Sequence, residues 1–537
     1  MKPKTSQNPS SPAVGSPGVV YLIGGGPGDP GLITLRGAEL LARADVVLHD
    51  ELVHPALLDH VRPDAEIRFV GKRGGDPGSK QTVQTAIEEE LVRLARAGRC
   101  VVRLKGGDPF LFGRGSEEAE ALVAAGVPFE VVPGITSPFG ATAYAGISLT
   151  HRDLASSVTI VSATGRDGRE FDWSELASGR GTICVLMGMR RLEAHIEGLI
   201  RGAKRAPETP AAVIQWGTRS EQRVVEGRLD EIADRARAAG LESPAVIVVG
   251  QVASLRRTLR WFDARPLFGK RVLVTRPAGQ AAATSEALRR RGAEPIEMPA
   301  IQIGAPPDPA RVMEAVRALD GYDVVAFTSE NGVDWFFRAL SEAGKDARAF
   351  GRARVATIGP GTAAALLPLG IRADIVPAEF RGESLAEAIL ADPEVKTRLA
   401  QSRVRVLVPR ALVAREVLGE MLRAAGCEVD IVPVYETRRA SAERREELVQ
   451  RLEAGAIDVA LLTSSSTADS VCDLLGARAP ELLRNVVVAS IGPITTKTAE
   501  KRGLTVAVTA TESTTAGLIT ALEHHFGGGS TMPLPGA

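Results

Sequence analysis

The second half of this chain repeats itself at a nearly constant separation. Val272-Leu273-Val274-Thr275-Arg276 returns as Val406-Leu407-Val408-Pro409-Arg410, so that Val274 maps onto Val408 at an offset of 134. The run from Asp323 to Ser329 returns as Asp458 to Ser464 at an offset of 135, and Ala356-Thr357-Ile358-Gly359-Pro360 returns as Ala489 to Pro493 at 133. Each repeated piece is a short β-rich run closed by a polar turn. Two α/β lobes of one plan are therefore expected, with a ligand cleft between them.

The turns that close these runs are rich in hydroxyls: Thr328-Ser329-Glu330-Asn331-Gly332, Gly359-Pro360-Gly361-Thr362, Thr463-Ser464-Ser465-Ser466-Thr467 and Gly492-Pro493-Ile494-Thr495-Thr496. Carboxyl ends of parallel strands are the usual ligand side, and free N–H groups at helix starts suit carboxylates. Any one of these residues serves equally well as a plain helix N-cap. The set points to a ligand.

The first half has a different signature. Strand-like runs at Cys100 to Leu104, Phe129 to Val132, Val158 to Ser162, Thr182 to Leu186, Ala211 to Gln215 and Ala245 to Val249 alternate with helical stretches, which is α/β layering. The run Val102-Arg103-Leu104-Lys105 opens directly into Gly106-Gly107-Asp108-Pro109-Phe110-Leu111-Phe112-Gly113-Arg114-Gly115. Such a loop brings bare backbone against a small charged molecule. A second glycine loop, Gly24 to Gly31, follows the strand Val19 to Ile23. Its Gly26, Gly28 and Gly31 fit a dinucleotide spacing, but Pro27 and Pro30 remove two backbone donors, and no Gly-Lys-Ser/Thr follows to make a phosphate loop.

At 537 residues the chain is modular, and 44% hydrophobic with 24% charged residues is ordinary for globular domains. Lys plus Arg and Asp plus Glu both number 65, so no global basic field favours nucleic acid or an anionic membrane. Cys100, Cys184, Cys427 and Cys472 are dispersed without metal-ligand spacing, and no metal is expected. The start lacks a signal-peptide pattern and no apolar run is long enough to span a bilayer, so the expected location is cytoplasmic. Residues 1–17 and 527–537 read as disordered tails, a break near Thr150 to Ser156 divides the first half into lobes of about 18–150 and 151–263, and Trp261 to Gly269 reads as the joint to the second half.

The ordered set Gly24–Gly31, Asp50, Lys72, the Gly107 loop, Pro133-Gly134-Ile135-Thr136-Ser137, Leu149-Thr150-His151-Arg152, Leu186-Met187-Gly188 and Gln215-Trp216-Gly217-Thr218 resembles the tetrapyrrole methylases, most closely uroporphyrinogen III C-methyltransferase, across Val19 to Phe262. The resemblance implies S-adenosylmethionine as methyl donor, uroporphyrinogen III as acceptor and precorrin-2 as product, on the routes to siroheme and cobalamin. By motif it assigns the cofactor to Pro27, Gly106, Gly107, Asp108, Leu111, Thr136, Ser137, Met187 and Gly217. Asp108 is expected to bind a polar donor group and Met187 to pack beside the adenosyl moiety. It makes Asp50 the proton acceptor and Lys72 the proton donor. Arg152 is the expected binder of substrate carboxylates, with Arg103, Lys105 and Arg114 behind it. The family is typically dimeric, so a homodimer through this half is expected.

Leu267 to Phe526 is similar to uroporphyrinogen III synthase, which cyclises hydroxymethylbilane without a cofactor. The resemblance implies that Tyr435 protonates the departing hydroxyl and that Ser329, Thr362, Ser464 and Ser465 hold substrate carboxylates. It divides this half into a lobe of 267–303 plus 438–526 and a lobe of 304–437. Two other readings compete: a methylase of protein or ribosomal RNA for the first half, and a non-catalytic tetrapyrrole-sensing module for the second. Small-molecule tetrapyrroles are the expected partners.

Overall fold

The computed structural model describes residues 18–71, 80–163, 171–177, 180–276, 278–299, 301–414, 416–439 and 441–527. The chain divides into two compact units, with the change after Lys270. Among the described residues, no helix is long and apolar enough to cross a membrane.

The first unit holds two five-stranded sheets. β1 (Val20–Gly24), β2 (Val46–His49), β3 (Glu66–Phe69), β4 (Val101–Lys105) and β5 (Phe129–Val132) form a parallel sheet in the order β3-β2-β4-β1-β5. β1, β2 and β4 are central, and their near-continuous apolar runs fill both faces, as parallel strands require. β3 is an edge and is mostly exposed. The second sheet, β6 (Val158–Ser162), β7 (Thr182–Leu186), β8 (Pro210–Gln215), β9 (Arg223–Arg228) and β10 (Ala245–Val249), runs β6-β7-β10-β8-β9 and is parallel only between β6 and β7.

The expected lobe break near Thr150 is corrected by the packing. Ala141, Ala145 and Ile147, in and just after the helix Ser137–Tyr144, lie in one core with Cys184, Ala212, Ile214 and Val248 of the second sheet. The lobe therefore changes at Pro133 to Thr136, directly after β5. Small side chains make the approach possible: a Cβ on Gly217 would come 2.3 Å from the Cβ of Ala141.

The second unit is built of two more sheets. β11 (Arg271–Val274), β12 (Glu294–Glu297), β13 (Ile301–Gly304), β14 (Val324–Phe327), β15 (Arg354–Thr357), β16 (Arg405–Ala411), β17 (Glu428–Arg439), β18 (Val459–Leu462), β19 (Val487–Ser490) and β20 (Val506–Thr509) divide between the orders β12-β11-β18-β19-β20 and β13-β17-β16-β14-β15. The repeat explains this. β11, β14 and β15 correspond to β16, β18 and β19, yet β11 pairs with β18 and β16 pairs with β14. Each lobe thus takes its first strand from one repeat and its next two from the other, and neither repeat can bury its apolar strands alone.

β13 corrects the expected exchange points. It pairs antiparallel with β17, Ile301 opposite Arg439 and Gly304 opposite Glu436, so 301–303 belong with the lobe of β17 rather than with β11. The two crossing strands run side by side, and mutual hydrogen bonding places them in one sheet.

Candidate functional site

Three glycines bring the loops of the first sheet together. A Cβ on Gly24 would lie 2.5 Å from the Gly134 Cα and 2.6 Å from the Gly107 carbonyl oxygen, and one on Gly134 would lie 2.2 Å from that same oxygen. Gly26 and Gly107 exchange backbone hydrogen bonds at 3.2 and 2.7 Å, with Gly26 at φ +77° and Gly107 at φ +70°. The carboxyl ends of β1, β4 and β5 thereby meet backbone to backbone and form a cradle of loops that a side chain at Gly24 or Gly134 would force apart.

Asp108 braces this cradle. Its Oδ1 accepts from the Phe110 and Leu111 N–H groups at 2.8 and 3.1 Å, and its Oδ2 accepts from the Gly134 N–H at 3.0 Å. Both oxygens are engaged by loop backbone, a bracing role beside the ligand contact expected from the sequence. Thr136 is buried at the position preceding the helix that Ser137 begins, and its backbone carbonyl accepts from the Phe139 and Gly140 N–H groups at 3.1 Å each. Across the lobes, a Cβ on Gly140 would meet the Pro27 ring at 2.4 Å, which places Pro27 against the same helix.

Strained backbone occurs in the Gly107 loop and in the loops that follow β7 and β8 of the second sheet. Phe112, Arg114, Met187, Trp216 and Thr218 all have φ between +49° and +71° without being glycine. Such conformations persist where surrounding structure over-determines them, and they concentrate at ligand sites. Met187 is 52% exposed, so the alternative of a core methionine is excluded. Arg152 is exposed in the turn closed by the His151–Ala155 bridge. Arg114 pairs with Glu117 at 3.0 Å. Lys72 lies outside the described residues.

Arg103 and Lys105 correct their expectation outright. They are 2% and 3% exposed and turn inward to Glu118, which is fully buried. Glu118 Oε1 accepts from Arg103 Nε at 3.1 Å and from Lys105 Nζ at 2.9 Å, while Arg103 Nη2 donates to Asp50 Oδ1 at 2.5 Å. Burial pulls the Lys105 ammonium below its usual range, and neighbouring Arg103 adds to this. For Arg103 burial acts downward too, but Asp50 and Glu118 outweigh it and hold the guanidinium firmly charged. Asp50 keeps 29% of its side chain exposed, so this buried network ends on one accessible carboxylate.

Sequence reasoning missed Glu118, although a signal was present: Gly115, Glu118, Ala119 and Leu122 form the buried stripe of their helix at helical spacing. A carboxylate on such a stripe needs a buried cation. It also missed Tyr144, whose hydroxyl donates to Asp29 Oδ2 at 2.7 Å.

In the second unit Tyr435 lies on β17 opposite Ala411, at a register shift beside the carboxyl end of β16. Its ring is buried with Phe327 and Phe336, and its hydroxyl meets Ser329 Oγ at 3.0 Å. Ser329 caps the helix Glu330–Glu342 through Gly332 N–H at 3.0 Å, and Ser464 caps Ser465–Leu475 through Thr467 N–H at 3.1 Å. The equivalent caps come from equivalent repeats. Thr362 is 5% exposed and lies in the first turn of its helix, Pro360–Leu366. Its neighbour Gly361 faces outward, and a Cβ there would lie 2.7 Å from Glu330 Oε1. The repeat also places Arg276 just beyond β11 and Arg410 at the matching place in β16, a pair that the sequence already aligned.

Residues 19–233 match the family described as Tetrapyrrole (Corrin/Porphyrin) Methylases, and residues 282–520 match Uroporphyrinogen-III synthase HemD. Porphyrin biosynthesis protein HemD of Ruminiclostridium josui is 37% identical over 489 residues, 91% of this chain and 94% of that protein. The chain belongs to the family that fuses a tetrapyrrole methylase to a uroporphyrinogen-III synthase. The methylase half of this fusion is 50% identical over 249 residues to Siroheme synthase 2 of Aeromonas salmonicida, covering 46% of this chain and 51% of that one, so the chain spans about half the length of that relative. Uroporphyrin-III C-methyl transferase of Thermus thermophilus, solved with S-adenosyl homocysteine, is 39% identical and covers 44% of this chain and 100% of its own, with a TM-score of 0.38. The glycine cradle and Asp50 belong to the methylase half of the fusion, and the Tyr435–Ser329 pair to its synthase half.

Proposed function

We propose that the synthase half cyclises hydroxymethylbilane to uroporphyrinogen III and that the methylase half methylates this product to precorrin-2, with S-adenosylmethionine as donor. One observation carries the reading: a side-chain-free cradle and a buried tyrosine–serine pair occur in the two halves of a single fused chain. The loops fit a nucleoside donor, because close packing of Gly24 against Gly134 fixes their backbone, Gly107 at φ +70° meets only ordinary contacts at its Cβ position and so leaves main chain accessible, and exposed Met187 adds an apolar contact. The bound donor supplies an electrophilic methyl group on a sulfonium.

Pro27, Gly106, Gly107, Leu111, Thr136, Ser137 and Gly217 line the donor, with Asp108 holding their loops in place. Asp50, oriented by Arg103, takes the proton released after the pyrrole carbon gains its methyl group. The resemblance assigns the complementary donor role to Lys72. Arg152 and Arg114 meet acetate and propionate groups at the mouth.

In the synthase half Tyr435 gives its phenolic proton to the departing hydroxyl, the C–O bond breaks and water leaves. Ser329 orients the phenol. Ser464 and Ser465 with Arg276 hold carboxylates, so the chain closes only in the folded geometry that inverts the last ring. The enzyme acts in the cytoplasm as a homodimer through its methylase half, which sedimentation of the purified chain tests directly.

Incubation with hydroxymethylbilane and methyl-labelled S-adenosylmethionine tests the whole reading. Labelled precorrin-2 is the expected product. Uroporphyrinogen I as the cyclised product would exclude the synthase activity, absence of label after addition of uroporphyrinogen III would exclude methylation, and labelled product from added uroporphyrinogen III alone would leave the second half a binding module.

A further inference from the structure

One turn of the second lobe grips two loops of the first. The turn Trp216–Gln222 joins β8 to β9, and Trp216 and Thr218 hold left-handed backbone at φ +49° and +71°. Thr218 is 2% exposed and its Oγ1 accepts from the Asp29 N–H at 2.9 Å, which fixes the loop that follows β1. Its own N–H donates to Gln222 Oε1 at 2.9 Å, so the turn is closed from within. Next to it, the Arg219 guanidinium lies 4.7 Å over the Trp216 ring, and Nη2 donates to the Leu52 carbonyl at 2.9 Å. Leu52 stands two residues beyond Asp50 and packs beside the cradle, since a Cβ on Gly106 would come 3.0 Å from its Cβ. Gly28, at φ +155°, lies beneath this strap, where a Cβ would be 2.7 Å from Arg219 Cγ.

We propose that Arg219 is a positioning residue for methyl transfer: it ties the Asp50–Val53 turn of the first lobe to the same second-lobe turn that holds the donor loop. Stacking on Trp216 pre-orders the guanidinium, so it reaches the carbonyl with little rotamer freedom left to lose. The acceptor carboxylate and the donor loop are then set against one rigid hairpin. This rests on the reading of Asp50 as proton acceptor beside a donor on the cradle.

Arg219→Ala and Arg219→Lys in the full chain test it. The alanine variant is expected to lower kcat for uroporphyrinogen III methylation by about 10-fold to about 100-fold, as loss of alignment does, with donor affinity by calorimetry near wild type. Lysine, which can still reach the carbonyl, is expected to restore part of kcat. Hydrogen exchange of the Asp50–Val53 amides is expected to quicken in the alanine variant whether or not substrate turns over. Unchanged kcat, an equal loss in donor affinity, or unchanged exchange would each overturn the proposal. A wild-type chain inert toward uroporphyrinogen III would instead overturn the reading of function, and the exchange measurement would still decide the strap.

Discussion

Arg103 Nη2 donates to Asp50 Oδ1 at 2.5 Å while its Nε reaches Glu118 Oε1 at 3.1 Å, so one buried cation links the accessible carboxylate to one with no exposure at all. The chemistry of Asp50 and the stability of its lobe therefore share a residue. Asp50→Asn retains an acceptor oxygen for Arg103 but cannot take a proton. Methyl transfer is expected to fall by about 100-fold or more, with donor binding retained in calorimetry. Full turnover by this variant would remove Asp50 from the reaction.

Glu118→Gln leaves Arg103 and Lys105 in the core facing one negative charge fewer. Breaking a buried ion pair from one side costs about 3–5 kcal/mol, to be read from urea unfolding of the full chain. Adding Lys105→Met removes the orphaned ammonium and is expected to recover part of that loss, the coupling expected of neighbours. Additive losses would show that the three groups do not act as one network.

The glycines differ in what they tolerate. Gly134→Ala places a Cβ 2.2 Å from the Gly107 carbonyl oxygen and is expected to abolish donor binding. Gly126→Ala, at φ +67° with nothing within 4 Å, carries only the left-handed penalty of about 1–2 kcal/mol and should leave methylation intact. Equal donor affinity in both variants would rule out the cradle.

Burial, and then the bond to Asp29, push the Tyr144 phenol well above its ordinary value near 10. A folded-state value raised above the unfolded one contributes stability that is complete below pH 10 and is lost as pH climbs through the folded value. Melting temperature is therefore expected to drop more steeply above pH 10 in the wild type than in Tyr144→Phe. Parallel pH profiles would show that the phenol adds nothing.

Tyr435→Phe keeps the buried ring and deletes the hydroxyl 3.0 Å from Ser329. Consumption of hydroxymethylbilane is expected to slow by about 100-fold, with the product shifted toward the uninverted isomer. Ser329→Ala removes a helix cap, at a cost of about 1 kcal/mol, and should slow the same step less. Wild-type isomer ratios from Tyr435→Phe would assign the control to other groups.

Local sequence determined much of this protein. The near-constant repeat offsets foretold which strands correspond, and β5, β6, β7 and β10 begin and end where their apolar runs do. Glycine density marked the cradle because backbone crowding can be relieved in no other way. Tertiary structure decided what those rules leave open. Period-two alternation puts Arg103 and Lys105 on one face of β4, a strand buried throughout, but does not say what meets them there; the partner is Glu118, fifteen and thirteen residues on. The helix Ser137–Tyr144 joined the second lobe through side chains too small to announce it, and β13 changed sheets by pairing with a strand more than a hundred residues away. Strand pairing is settled by energies between segments far apart in the chain, and the meeting of Arg103 and Lys105 with Glu118 by how a strand and the helix after it pack, which spacing alone does not state.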